Sequence, residues 1–246
     1  MYRFIFILLS VIVFSACRSD KQKDDFSFSE IKIARYDRLQ YEATVQNSFF
    51  SLQRMNTEFA QETRLLVEDV LDLGSVNMLD MNERLCTYFS DSILVHLMED
   101  VGEKFKDVSS IEENMTHGFK NLKKEIRELP VPKIYTQISA LNQSIVVGDS
   151  ILGISLDKYM GDDYPLYKKY YYANQRRSMS PEYIVPDCFT FYLLGQYPFL
   201  WLEGHRSLMD ILLYRGKIAW TVENVLEGDR SGKTALGYTK EEVKMV

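Results

Sequence analysis

Residues 132–156 read PKIYTQISALNQSIVVGDSILGISL, and the fold class turns on them. Ile134-Tyr135-Thr136-Gln137-Ile138 is dense in β-branched and aromatic residues and reads as a strand. Residues 143–156 read as two further strands around Gly148-Asp149-Ser150, a hairpin signal. Upstream the pattern is helical. Residues 39–72 follow helical spacing, with a break expected near Thr57 or Gln61 and a stop at Gly74. Residues 82–97 continue with Leu85, Tyr88, Phe89, Ile93 and Leu97 on one face. Residues 109–129 open on Ser109-Ser110-Ile111-Glu112-Glu113, a capping-box arrangement, and stop at Pro130. Ahead of these, Ile31-Lys32-Ile33-Ala34-Arg35-Tyr36 alternates with period two and reads as an early strand. Downstream, residues 181–197 and 207–226 read as apolar helices, with Pro186 early in the first and Gly216 inside the second. Helices, then a small, mostly antiparallel sheet, then two helices make a mainly helical α+β order, without the regular βα alternation of a doubly wound fold.

The N-terminus decides the compartment. MYRFIFILLSVIVFSAC has Arg3, an apolar run over residues 4–14, and small residues before Cys17, and the composition then changes to RSDKQKDD. This is a secretory signal. A transmembrane anchor needs about 20 apolar residues, and this run is shorter. A cysteine at the processing point resembles a lipobox, with Phe14 where an aliphatic residue is usual. Residues 1–16 are therefore expected to be a lipoprotein signal peptide, with Cys17 acylated and inserted in membrane lipid. Two acyl chains give stable anchoring where one does not. Residues 17–30 follow as a flexible tether, and residues 31–246 as a single globular domain. The expected place is the cell envelope, on its periplasmic face or at the cell surface. Arg18 does not look like an inner-membrane retention signal, and Lys23-Asp24-Asp25 resembles a surface-export signal.

Hydrophobic residues make up 46% and charged residues 26% of the chain, so a packed core is expected and disorder is not. The formal net charge of −6, without a basic stripe, argues against nucleic-acid binding. Outside the cytoplasm Cys86 and Cys188 could pair. Their neighbours read as apolar helix faces, which favours two free, small hydrophobic side chains.

Catalytic patterns are sparse. His96, His117 and His205 do not form HExxH, and no CxxC or Cys/His cluster supports a zinc site. Residues 228–234, GDRSGKT, end like a phosphate loop but have too few residues between the glycines and follow a helix. There is no GxSxG elbow. One polar and aromatic stretch stands out, residues 156–167, LDKYMGDDYPLY. Its carboxylates and tyrosines could bind a cation or a polar polymer. The favoured reading is an acidic surface turn with its tyrosines packed beneath. It lacks EF-hand spacing.

Taken in order, the lipobox-like Cys17, residues 31–37, Tyr88-Phe89-Ser90-Asp91, residues 132–139, 151–161 and 179–187, and Leu213-Tyr214-Arg215-Gly216-Lys217 resemble the gliding-motility lipoprotein GldB family. The resemblance spans nearly all of the chain after the signal. It implies an envelope-anchored protein associated with gliding or secretion machinery, and a scaffold like that of zinc metallopeptidases. In such peptidases one helix carries HExxH and a second supplies another ligand. Here Asp187-Cys188-Phe189-Thr190-Phe191 stands nearest the first motif, and Arg215 or Lys217, in the second helix, would repel a cation. The implied protein is a pseudo-peptidase, with no metal or cofactor and no catalytic residue, that binds partner proteins through a cleft near Asp157, Tyr159, Asp162, Asp163, Tyr164, Asp187 and Lys217. The alternatives are a divergent carboxylate- or metal-dependent hydrolase using Asp157, Asp162, Asp163 or Asp187, and a surface glycan- or peptide-binding lipoprotein using the tyrosine-rich residues 159–172. Family members continue with further helices beyond a point resembling residues 236–241, so a shortened C-terminus is also expected.

The anchor is checked by metabolic labelling. The native chain should take up palmitate and a Cys17→Ala chain should not; label on the alanine variant would rule out acylation at that residue.

Overall fold

Strand β3 (Ile151–Ser155) organises the sheet. All five of its residues are buried, as suits an apolar and small run covered on both faces. β1 (Lys133–Gln137) and β2 (Ile145–Val147) flank it in the order β1-β3-β2. The hairpin expected at Gly148 is present, and Gly148 N–H donates to Ile151 O at 2.9 Å. β3 is antiparallel to β2 but parallel to β1, with Tyr135 opposite Gly153. The sheet is thus mixed, and its longer pairing is parallel, which corrects the expected mostly antiparallel arrangement. β2 has three residues and takes an edge, while the wholly buried β3 takes the centre. A chain that reverses into β2 and again into β3 must then run parallel to β1.

The computed structural model describes residues 28–199 and 207–226. The expected signal sequence, Cys17, the expected tether before residue 28, His205, residues 228–234 and residues 236–241 lie outside them.

The expected strand at residues 31–36 is reduced to one bridge. Ala34 pairs in parallel with Tyr135, donating to Ile134 O and accepting from Thr136 N–H. Its alternate N–H groups go to a helix instead: Ile31 N–H to Thr116 Oγ1 at 3.0 Å and Ile33 N–H to Glu112 Oε1 at 2.8 Å. A chain whose donors are taken by side chains cannot extend a ladder.

Helix α1 (Tyr36–Thr44) follows directly and packs against β1. Then come α2 (Phe49–Thr57), capped by Ser48, and α3 (Ala60–Arg64), which continues into a π-helical turn at Leu65–Val70. The break expected near Thr57 is there. A further break precedes α2, where Asn47 has φ 55°. α4 (Met81–Tyr88) and α5 (Ser92–Lys104) divide at Asp91, whose carboxylate accepts from Ile93 and Leu94 N–H. α6 (Ser109–Glu125) lacks its expected capping box: Val108 occupies the N-cap, and Glu112 is engaged by Ile33 and Lys32. After β3 come a 3₁₀ turn (Leu156–Lys158), α7 (Pro165–Tyr170), α8 (Ala173–Arg176) and a second 3₁₀ turn (Pro181–Tyr183). α9 (Ile184–Gln196) and α10 (Leu208–Val225) complete the described chain. α10 opens with a capping box between Ser207 and Asp210.

The core is continuous, with Tyr36, Leu66, Phe89, Met115 and Ile154 fully buried. α9 lies against β2, β3 and α6. On α6, Gly118 lets the Phe189 ring approach, since a Cβ there would meet it at 2.5 Å. Phe119 stacks beside Phe189 at 4.6 Å and beside Tyr192 at 5.4 Å. Cys188 is buried on α9 and Cys86 half-buried on α4, and both are free.

The Tyr135 ring covers Gly153, where a Cβ would meet its Cζ and hydroxyl at 2.5 Å. That hydroxyl is buried and finds no hydrogen-bond partner among the described residues. An alanine at 153 must push this ring away, so Gly153→Ala should cost about 1–3 kcal/mol in denaturant unfolding. Tyr135→Phe removes an unsatisfied polar atom and should leave stability equal or higher. A clear loss on Tyr135→Phe would show that the hydroxyl is bonded after all.

Candidate functional site

The polar stretch at residues 156–167 divides between interior and surface. Asp157 is fully buried at the end of β3. Its carboxylate accepts from Ser139 N–H at 2.9 Å, Leu141 N–H at 2.6 Å and Ser139 Oγ at 3.1 Å. Burial pushes this carboxyl up, and the surrounding donors draw it back toward the charged form. The loop that it holds contains two successive left-handed residues, Ala140 at φ 52° and Leu141 at φ 68°. Neither is glycine, so the conformation is costly and needs such a tie. Lys158 Nζ and Tyr171 Oη both donate to Leu141 O, at 3.1 and 2.9 Å, and finish the clamp.

Asp162 and Asp163 lie on the exposed turn beyond it. Asp163 pairs with Lys168 at 2.8 Å, and the backbone carbonyl of Asp162 accepts from Arg176. Tyr167 is buried beneath, its hydroxyl donating to Asp157 O and accepting from Met160 N–H. Tyr164 is half-buried and donates to Asp100 at 2.7 Å, and burial beside that carboxylate pushes its hydroxyl up.

Tyr159 points elsewhere. It is buried and donates to Asp187 Oδ2 at 2.8 Å, joining the end of the hairpin to the first turn of α9. Asp187 sits there because Pro186, which has no N–H to offer, is tolerated in a first helical turn, and a carboxylate gains from the helix N-terminus. Burial still pushes its carboxyl up to about 6, against the pull of the Tyr159 hydrogen bond. The neighbouring Cys188 thiol is driven well up by complete burial beside that carboxyl. Lys217 is exposed on α10, as is Arg215.

The seven residues singled out from sequence are thus spread over a buried clamp, an exposed turn, one part-buried pair and a separate helix. A cleft of about 620 Å³ opens beside the pair, between the end of α5, α6 and the start of α9. Its lining includes Lys104, Asp107, Asn114, His117, Glu182 and Val185, and none of the seven. His117 is half-buried, and Asn121 Nδ2 donates to its Nε2 at 3.0 Å. The available signal was spacing: Ser110, Asn114 and His117 stand three and four residues apart and so share one helix face.

Among the described residues no three His, Cys, Asp or Glu side chains gather where they could hold a metal ion. No helix among them is long and apolar enough to cross a membrane. Residues 18–246 match the family described as gliding motility protein GldB.

The chain belongs to the GldB family.

No curated protein and no solved structure matches it. Members of the GldB family are gliding-motility lipoproteins, and this match begins at the residue after Cys17. Within this GldB-family chain, Asp187 is a titratable group that α9 turns toward the hairpin.

Asp187 gives a pH signature. Its folded pKa lies above its unfolded one, so the folded state holds the extra proton between about pH 4 and 6. The stability that it contributes is therefore lost as pH rises through that window, by about 3 kcal/mol at most. Asp187→Asn keeps an acceptor for Tyr159 and removes the charge. It should raise the melting temperature at pH 8 and leave it nearly unchanged at pH 4. Equal shifts at both pH values would mean that Asp187 is not the group responsible.

Proposed function

We propose that this GldB-family lipoprotein is a non-catalytic component of envelope gliding or secretion machinery, held at a membrane by acylated Cys17, that acts by binding partner proteins. One observation carries the reading. Asp187, which stands where a metallopeptidase-like scaffold would need a ligand, is spent on Tyr159, and Cys188 and Phe189, which follow it, are buried in the core. Arg215 and Lys217 on α10 add positive charge where a cation would be wanted. On this reading α9 and α10 keep a peptidase-like arrangement as a framework. The cleft beside α9 serves as the docking surface, and its mixture of Lys104, Asp107 and Glu182 suits a polar segment of a partner.

The second reading, a divergent hydrolase, draws on the same carboxyl. A group held near pH 6 by burial is suited to acid–base work. Zinc analysis of the purified full chain separates the two, and one tightly bound zinc per chain would overturn the first. For the cleft, Asn114→Arg places a long cation among lining residues at an exposed position, where substitutions usually cost less than about 0.5 kcal/mol. Cross-linking in intact envelopes should recover defined partners with the native chain and lose them with this folded variant. Recovery of none with the native chain, or the same set with both, would count against the proposed docking surface.

A further inference from the structure

α10 has two apolar faces. Ile218, Ala219, Val222 and Val225 are buried against the fold. Among the described residues a second side is exposed: Leu208 is 70% exposed, Met209 61%, Leu212 55%, Leu213 56% and Trp220 68%. Positions 208, 209, 212, 213 and 220, with Gly216 among them, fall on one side of a helix of 3.6 residues per turn. A solvent-facing helix side is ordinarily polar, and an apolar patch of this extent marks an interaction surface. Its borders are charged. Arg215 and Lys217 stand exposed on the same helix, and Lys124 of α6 shares a groove with Trp220. Glu125 lines the same groove as Lys124, Glu223 falls on the exposed apolar side at its C-terminal end, three residues beyond Trp220, and Asp210 is turned into the helix end, accepting from Ser207 N–H and Oγ.

We propose that this face of α10 lies in the interface of a lipid bilayer, with leucine and methionine side chains among the acyl chains and Arg215, Lys217 and Lys124 among headgroup phosphates. The proposal rests on the reading of Cys17 as an acylated anchor. Residues 18–27 separate that cysteine from Phe28, which packs against the core. Ten residues span no more than about 36 Å. The chain enters the domain on α6, through Ile31 N–H and Thr116. α6 also holds α10, since Asn121 Nδ2 donates to Val225 O at 3.0 Å. A bilayer is thus within a tether's length of the domain, at high effective concentration, so even weak partitioning is realised. The composition fits that occupant: tryptophan prefers the interface, and arginine and lysine keep their charges at headgroup level while their stems cover apolar surface. The helix would lie on the membrane and not cross it.

The chain has two tryptophans, Trp201 and Trp220. Trp201→Phe leaves Trp220 as the sole reporter. The full chain is purified from membranes, its acylation is read by mass spectrometry, and it is reconstituted in phosphatidylethanolamine–phosphatidylglycerol vesicles whose acyl chains carry bromine. Trp220 emission should fall at least about twofold against unbrominated vesicles, as expected for an interfacial indole. Leu212→Glu with Leu213→Glu, both at exposed positions, should abolish the quenching while the chain still floats with the vesicles and keeps its circular dichroism spectrum. An acylated, floating chain with unquenched Trp220 overturns the membrane face and leaves the anchor standing. If that chain also cross-links to itself through α10, the face belongs to a second copy and the proposal is again overturned. A chain without acyl groups removes the anchor and this proposal with it.

Discussion

The Asp157 carboxylate is the constraint on which the rest of the architecture depends. A buried carboxylate is costly unless its lone pairs are met, and here they are met by the backbone and hydroxyl of the loop that leaves β1. That loop must carry the chain out so that β2 takes the edge and β3 returns beside β1. It does so through two left-handed residues that are not glycine, Ala140 and Leu141. Without an anion to gather the N–H groups of Ser139 and Leu141, the conformation has little to recommend it, and the simpler meander, with β2 central, competes. The parallel pairing of β1 and β3 is therefore tied to one side chain lying beyond the end of β3.

The outer side of β1 carries one backbone bridge, to Ala34, and beyond it is finished by side chains instead of a fourth strand. Gln40 donates to Ile138 O and accepts from Ile138 N–H, at 2.9 and 3.0 Å, as a neighbouring strand would. Asp37 is bound by Nε and Nη2 of Arg35 and by Thr136 Oγ1, and Arg35 Nη1 reaches on to Phe105 O. A short sheet with an open edge invites pairing with other chains. α1 closes this edge with an amide and an ion pair, both largely out of water. This is how three strands suffice within a mainly helical domain, because each exposed ladder position near α1 has a specific polar partner.

Much of this order could be seen in the chain. The hairpin at Gly148, the late helices and the break near Thr57 follow from local signals that tertiary contacts reinforce. The misreadings share a cause. Ile31-Lys32-Ile33 has strand periodicity, yet its donors go to Glu112 and Thr116, some 80 residues away. Glu112 looked like part of a capping box for the same reason: its spacing is right, but a distant backbone claims it. The central place of β3 and the parallel pairing are non-local as well, and a run such as ILGIS says that it is covered on both faces without saying by which strands. At the site, the Tyr159–Asp187 pair joins residues 28 apart that no periodicity connects. The acidic stretch 156–167 showed which residues were polar and not which were buried. Asp157 and Asp162, five positions apart, ended in opposite environments because one closes a strand and the other tops a turn.

The two late helices then have different physical tasks. α9 is fixed on three sides: by the sheet, by Gly118 and Phe119 of α6, and by Tyr159 through Asp187. Its low tolerance for movement suits a wall beside a cleft, where a docking surface must keep its shape. Among the described residues α10 is fixed on one side and leaves its other apolar face exposed. Such exposure costs solubility and is hard to reconcile with a domain that diffuses freely. On the membrane reading proposed above, it is reconciled with one that spends its time within a tether's length of apolar material. The features that look least economical in an isolated domain, the exposed leucines of α10 and the short link to Cys17, explain one another once a membrane is counted among the domain's neighbours.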